Sequence, residues 1–485
     1  MAKKAVDQEQ RRRMLSTDPI PKVVFKMAVP TIVAFLINSI YSLADTYFVS
    51  GLGESATAAV SVNASLDQLI MMCGSMLAVG ANSYIARLLG EGKEKKASQV
   101  LSTAFILAFG IGALLLIFGN IFMTPMARLL GATPSCEQYA IDYATYILLA
   151  APFMASSFVM NQCLRSEGSA TLSMVGMGFG GILNCVLDPI FILGSAGLKE
   201  SYGIVLPFEM AGMGVAGASL ATAISKVVSF SILIFPYITR RSLLRLSVRN
   251  FYPKWEILKE IISVGSSSMF RSGLAVVAGI LLNNLAGQYS DSVLAAIGVT
   301  TKIMMFPFSI ILGFGSGFQP VAGFNWGAKR YDRVLESYRF CSWVAIIGGV
   351  IMAVVLIVLR QPIITLFSDP GAANNAEMLR IGGLSILVQA IALPVHGWVA
   401  VVNMLCAGLG NAKGALALST ARQGSCMIPI LFPLAWLWGA EGLASVQGVA
   451  DVLTMTIAVP IIIHMTRKIK TALKSHENEA IKMTK

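Results

Sequence analysis

Asn38, Tyr41 and Asp45 interrupt an otherwise apolar run near the amino terminus, MAVPTIVAFLINSIYSLADTYFVSG. Spaced i, i+3 and i+7, they share one face of a helix. A carboxylate at the centre of a membrane helix costs about 2.5–3.5 kcal/mol on insertion scales, so it faces a protein interior or a watery cavity. The chemistry open to it there is capture of a proton or of a small hard cation through oxygen. A second set lies in GILNCVLDPIF, where Asn184 and Asp188 are spaced i, i+4 and Pro189 follows at once. The proline removes a backbone donor and frees a carbonyl one turn back. A kinked helix with a free carbonyl beside a carboxylate can coordinate a cation. Each acid also has a purely structural reading. Asp45 would pair with a buried arginine or cap a broken helix, and Asp188 would solvate the kink. Thr222, in GASLATAISK, is by itself an ordinary packing residue.

The elements that must position these groups are membrane spans. The chain has 485 residues, 55% hydrophobic and 13% charged, with a mean hydropathy of +0.71; soluble domains carry roughly 25% charged residues. Its apolar runs reach the ~20 residues needed to cross a bilayer. The expected fold is an all-α integral membrane protein with twelve spans. They lie near 27–50, 56–87, 99–122, 142–164, 170–194, 214–237, 261–287, 293–325, 340–360, 380–409, 415–438 and 443–465. This gives an amino-terminal segment 1–26, an N-lobe 27–239, a connector 240–260, a C-lobe 261–465 and a tail 466–485. The connector, RRSLLRLSVRNFYPKWEILKE, has the composition of an amphipathic segment on the membrane surface.

The formal charge of +12 does not point to nucleic acid, because the basic residues gather at span ends. The outer loops hold only Arg128, Lys199, Arg360 and Arg380, which places both termini in the cytoplasm. Lys226, Arg271 and Lys302 fall within spans, as do Asp67, His396 and Asp451. Asp451 is expected to pair with Lys302, while Arg271 reads as a counter-ion or a substrate contact. The seven cysteines form no CxxC pair and read as buried thiols, with neither a disulfide framework nor a metal site. No cleavable signal is expected. Absence of HExxH, GxSxG and paired intramembrane histidines argues against an intramembrane enzyme. Glycine patterns such as GMGVAGAS lack a strand–turn–helix context and fit close helix packing.

The two halves read as repeats. Shifted by 237, Ser55, Ala58, Ala59 and Val62 meet identical residues, and Gly80 and Gly90 land on Gly317 and Gly327. Shifted by 242, Ala150, Pro152, Asn161, Gly168 and Ala170 land on Ala392, Pro394, Asn403, Gly410 and Ala412. Six spans per half bring both halves in from the same side, which implies a pseudo-two-fold axis along the membrane normal. The repeat partner of Asp45 is Leu282 and that of Asn38 is Ala275. Ion chemistry is therefore expected in the N-lobe, with the C-lobe mainly an apolar wall.

Pro30 to Asp45, SYIARLLGEGKEKKA, LDPIF, GVAGASLATAIS and GFQPVAGFNWGAKRYDRV together resemble the multidrug and toxic compound extrusion (MATE) transporters over nearly the whole chain. The resemblance implies a twelve-helix antiporter with two six-helix lobes in the cell membrane. It implies no cofactor, and export of drugs and organic cations in exchange for Na⁺ or H⁺. Asp45, Asn184, Asp188 and Thr222 match the family's N-lobe cation or proton site, with Na⁺ as the candidate metal. Asn38, Tyr41, Asn161 and Arg271 are expected to line the substrate cavity. The chain departs from members with C-lobe carboxylates, since Ala275 stands where those carry Glu and the tenth span has no acid. A monomer is expected, with the bilayer and small molecules as its partners. A lipid-linked oligosaccharide or polysaccharide flippase of the same superfamily is the rival, and would want several cavity cations for a phosphate headgroup.

Overall fold

The computed structural model describes residue 11 and residues 13–52, 54–130, 136–202, 212–366 and 375–484. Residues 1–10 and 12 of the expected amino-terminal segment, and Lys485 of the tail, lie outside the described residues. Among those described, the chain is helical throughout its long elements and has no strand. Ten long helices come first, with a short one, Met123–Leu129, between the third and fourth. They are α1 (Ile20–Ser50), α2 (Glu54–Gly90), α3 (Glu94–Ile121), α4 (Glu137–Ser166), α5 (Ala170–Tyr202), α6 (Val215–Ile238), α7 (Trp255–Tyr289), α8 (Asp291–Gly327), α9 (Tyr331–Thr365) and α10 (Asn375–Gly408). The last apolar run, Ala412–Glu479, is continuous in hydropathy but breaks at Gly439, whose φ of 56° is non-helical. It supplies α11 (412–438) and α12 (440–484), and so the full set of twelve expected spans. Proline sits inside most of these helices. At Pro152 the Ser156 hydroxyl, one turn on, donates back to the Pro152 carbonyl at 2.6 Å.

Two compact units divide the chain. The first comprises residues 1–12, 33–85 and 93–265, and the second 13–32, 86–92 and 266–485. The repeat is written into the packing of each. In the first unit a Cβ at Gly112 of α3 would run into the Pro152 backbone of α4. In the second, a Cβ at Gly349 of α9 would meet the Pro394 backbone of α10. These are repeat partners, so one close helix contact has been built twice.

The connector, expected as an amphipathic surface segment, has an almost wholly irregular backbone up to α7, where it could have formed a helix. It holds a single 3₁₀ turn, Val248–Asn250, and α7 begins at Trp255, earlier than expected. A row of hydroxyls on α3 explains the departure by taking the connector's backbone N–H groups. Arg245 N donates to Ser98 Oγ at 3.1 Å, Ser247 N to Ser102 Oγ at 3.2 Å and Tyr252 N to Thr103 Oγ1 at 3.1 Å. Donors used in this way are lost to an α-helical ladder.

Candidate functional site

The acids of the first unit are brought together by close helix contacts. On α5, a Cβ at Gly178 would lie 3.0 Å from Ile37 Cδ1 of α1, and one at Gly181 would lie 3.5 Å from Tyr41 Cδ1. The contact advances in the same sense on both helices, so α1 and α5 run parallel. Asp45, one turn beyond Tyr41, therefore comes level with the Asn184–Asp188 turn. On its other side α5 meets α6 in the opposite sense. Ser229 Oγ donates to the Gly176 carbonyl at 2.8 Å, while Gly217 abuts Phe191. That antiparallel register sets Thr222 beside Asn184. The carboxyl-terminal end of α5 breaks at Gly194 (φ 68°), and Met213 N and Gly214 N donate back to the Phe191 and Ile192 carbonyls at 2.8 and 3.1 Å.

Asn184 is the hinge of the cluster. Its Nδ2 donates to Asp188 Oδ1 at 3.0 Å and to Thr222 Oγ1 at 3.2 Å. Asn184, Asp188 and Thr222 are all buried. With the amide nitrogen committed, the acceptor oxygens are left facing inward. Asn184 Oδ1, Asp188 Oδ2, Asp45 Oδ1 and Asp67 Oδ1 are each shielded from solvent with no hydrogen-bond partner. Buried acceptors without donors are rare, and several in one unit have the chemistry to take up a proton or a cation. The donor set is hard and all oxygen, which suits Na⁺ and does not suit a soft transition metal. Among the described residues no three His, Cys, Asp or Glu side chains cluster as a metal site.

Three neighbours of this cluster carry weight that their sequence positions did not reveal. Lys226, one turn after Thr222 on α6, donates from Nζ to Tyr41 Oη at 3.1 Å and lies 4.7 Å from the centre of that ring. Its charge acts on both Asp45 and Asp67. Asp67 on α2 was visible only as an acid in a span, and it lies within electrostatic reach of Asp45. Tyr143, buried on α4, lies within reach of Asp45, Asp67 and Asp188 alike. No spacing rule finds such partners, because each comes from a different helix.

The remaining candidates lie apart. Asn38 is half-buried on α1, one turn before Tyr41. Asn161 ties helix ends together, donating to the Ser173 carbonyl at 3.1 Å and accepting from Arg165. Arg271 belongs to the second unit and donates to Ser268 Oγ at 3.2 Å. The expected Asp451–Lys302 pair does not form. Lys302 is exposed, and Asp451 is held by Arg422, with Nε to Oδ1 at 2.5 Å and Nη2 to Oδ2 at 3.4 Å. The reason is angular. Thr301, Met304 and Phe308 line one face of α8, and Lys302 is turned about 100° from Thr301. Arg422 lies inside the expected eleventh span, 415–438, but was not singled out with the other intramembrane cations; the structure places it in a π-helical turn, Ala421–Ser425.

A family model described as MatE matches residues 30–190 and 268–437, one stretch in each half. The multidrug export protein MepA of Staphylococcus saprophyticus is 28% identical over 455 residues, spanning 92% of this chain and 94% of that protein. MepA of Staphylococcus aureus strain NCTC 8325 is 26% identical over 453 residues, with 93% and 94% covered. Among solved structures, MATE in complex with MaL6 superposes with a TM-score of 0.86 at 23% identity, over 95% of this chain and 99% of that one. A MOP superfamily transporter from Pyrococcus furiosus gives 0.83 at 24% identity, over 95% and 98%. These two share its fold. With both of its repeated halves matched by the family model, this multi-pass membrane protein belongs to the MatE family, a family of transporters and not of enzymes.

Proposed function

We propose that this chain is a multidrug efflux antiporter of the cell membrane, both termini cytoplasmic, working as a monomer without a cofactor. It exports organic cations and other amphipathic compounds against inward movement of Na⁺ or H⁺. The observation that carries this reading is the set of unpartnered oxygens on Asp45, Asn184 and Asp188, organised by the Asn184 bridge to Thr222. Two carboxylates in one apolar site raise each other's affinity for a positive charge. A proton or Na⁺ entering there neutralises them and draws α1 toward α5 and α6. An organic cation competes for the same negative field. Exchange follows when ion and drug favour different states of the protein. The names of the staphylococcal relatives support export of drugs. The flippase reading fits less well, because the acids of the first-unit cluster outnumber its one cation, Lys226, and Arg422 already serves Asp451.

The test is efflux of a fluorescent organic cation from proteoliposomes under separately imposed Na⁺ and pH gradients. Wild-type protein should respond to at least one gradient, and the Asp45→Asn variant, purified in equal yield, to neither. Full gradient-driven efflux by Asp45→Asn would overturn the assignment.

A further inference from the structure

A groove of about 580 Å³ opens on the second unit, where α1 and α9 begin and α12 runs on past its expected span. Its walls include Pro21 of α1, Asp332, Glu336, Arg339 and Phe340 of α9, and Lys470 of α12. The expected spans start at 27 and 340 and end at 465, so the groove lies just outside the hydrocarbon, at the level of lipid headgroups. Asp332, Glu336, Arg339 and Phe340 are spaced i, i+4, i+7 and i+8 and share one face of α9. They also stand in order of depth. Phe340 is nearest the bilayer, edge-on to Phe25 of α1 with ring centres 5.8 Å apart. Below it Trp343 is 66% exposed, and Ile347, Val350 and Val354 continue an exposed apolar strip along α9. Above it come Arg339, then Glu336, then Asp332. From the bilayer outward the face thus reads apolar, cation, acid. Not all of this charge is used within the protein. Arg330 donates to both oxygens of Asp332 at 3.3 Å each. Arg333 is turned inward, donating to the Asp18 carbonyl at 2.7 Å and to Asn325 Oδ1 at 3.1 Å. Arg339, Glu336 and Lys470 are exposed and form no ion pair among the described residues.

We propose that this groove holds one phospholipid of the surrounding bilayer, of the class that carries a primary ammonium beside its phosphate, as phosphatidylethanolamine does. The phosphate lies between Arg339 and Lys470, the ammonium donates to Glu336, and the acyl chains follow Phe340 and Trp343. The order of charges selects the lipid. Such a phospholipid presents chain, phosphate and ammonium in the order in which α9 presents apolar surface, cation and acid. Arg339 and Glu336 are three residues apart, about 4.5 Å along the helix axis, which the two-carbon link between phosphate and ammonium spans. A purely anionic headgroup would leave Glu336 beside a phosphate with no cation between them. A quaternary ammonium has no N–H to donate, whereas a primary one has three. The apolar strip that leads out of the groove is what a soluble phosphate compound would leave unused.

The test is native mass spectrometry of the purified full-length protein, stripped of lipid in detergent. The probes are dioleoyl phosphatidylethanolamine, phosphatidylcholine and phosphatidylglycerol, with water-soluble glycerophosphoethanolamine as competitor. One phosphatidylethanolamine should bind at least ~5-fold more tightly than either other lipid, the scale of one charged contact at a membrane surface. The soluble headgroup should not displace it at equal concentration. Arg339→Gln/Lys470→Gln should weaken all three lipids about 10-fold, since each carries a phosphate. Glu336→Gln should erase the preference for phosphatidylethanolamine and leave phosphatidylglycerol bound. The substituted side chains are exposed, so the variants should keep the wild-type thermal midpoint without lipid. Equal affinity for the three lipids in the wild type, a preference that survives Glu336→Gln, or unchanged binding to the double variant would each overturn the proposal. Displacement by the soluble headgroup at equal concentration would overturn it too, in favour of a soluble phosphate ligand.

Discussion

Asp188 in the first unit and Asp451 in the second are both buried acids inside membrane helices, and they are held in opposite ways. Asp188 has one oxygen on the Asn184 amide and the other on nothing. Asp451 has both oxygens on the Arg422 guanidinium. A cation entering the first site completes it, whereas a cation entering the second must displace a charge already in place. Burial and residue type are the same at both, so neither identifies an ion-coupling acid. On the proposed reading, the inventory of donors around it does.

The sharpest way to break this contrast is to neutralise each acid in turn. Asp188→Asn is expected to lower gradient-driven efflux of an organic cation about 100-fold or more, the loss of an essential charge. Asp451→Asn should leave the ion dependence of the same substrate in place. Efflux in proteoliposomes under imposed Na⁺ and pH gradients reads both. Ion dependence lost in Asp451→Asn and kept in Asp188→Asn would exchange the roles of the two units.

Stability should run the other way. Arg422→Leu leaves Asp451 buried without its partner, a change that typically costs about 3–5 kcal/mol. The double variant Arg422→Leu/Asp451→Leu should recover most of that loss, because an apolar pair replaces an ion pair at little cost. Asp188→Asn should be neutral or stabilising, since it removes a half-satisfied charge. Thermal midpoints in detergent distinguish these. A double variant as unstable as the single would mean that Arg422 supports α11 by packing alone.

What could be read from the sequence follows the same division. Asp45, Asn184 and Asp188 were legible because a polar residue in an apolar run is conspicuous and helical spacing assigns it a face. The Asn184–Thr222 bond was not, since the two lie on different helices and only the α5–α6 register brings them together. The repeat paired Pro152 with Pro394, but the close approach of Gly112 and Gly349 to those prolines needed the packed helices to show it. Arg422 fell inside the expected span 415–438, with apolar GALAL and CMIPILF on either side, but its partner Asp451 lies on another helix and no spacing rule pairs the two.

A third buried acid lies between these extremes. Glu167, just past the end of α4, accepts from Ser242 Oγ and, at 2.8 Å, from Leu243 N, while its Oε1 has no partner. Burial pushes its pKa up to about 7, the hydrogen bonds only partly opposing the rise. A carboxyl whose folded pKa is raised binds more protons folded than unfolded between its two values. Its contribution is therefore full below about pH 4.5 and is lost as pH rises through 7, by on the order of 3 kcal/mol at most. Glu167→Gln should flatten the stability profile between those limits. A profile as steep in the variant as in the wild type would place the titration elsewhere.

The smallest effect concerns the two cations. Arg422 grips its acid directly, whereas Lys226 gives its hydrogen bond to the Tyr41 phenol and acts on Asp45 and Asp67 only through space. Removing Lys226 strands no bonded carboxylate, so Lys226→Met should shift stability by less than about 1 kcal/mol, unlike Arg422→Leu. It should nevertheless strengthen the negative field that an entering ion meets. At an effective dielectric near 20, a unit charge several ångströms away is worth a kcal/mol or more. The concentration of coupling ion giving half-maximal efflux should then fall by about 5- to 10-fold. Lys226→Arg, which keeps the charge, should not reproduce this. Equal ion requirements in wild type and Lys226→Met would mean that the ammonium is screened from the acids, and that Lys226 serves only to orient Tyr41.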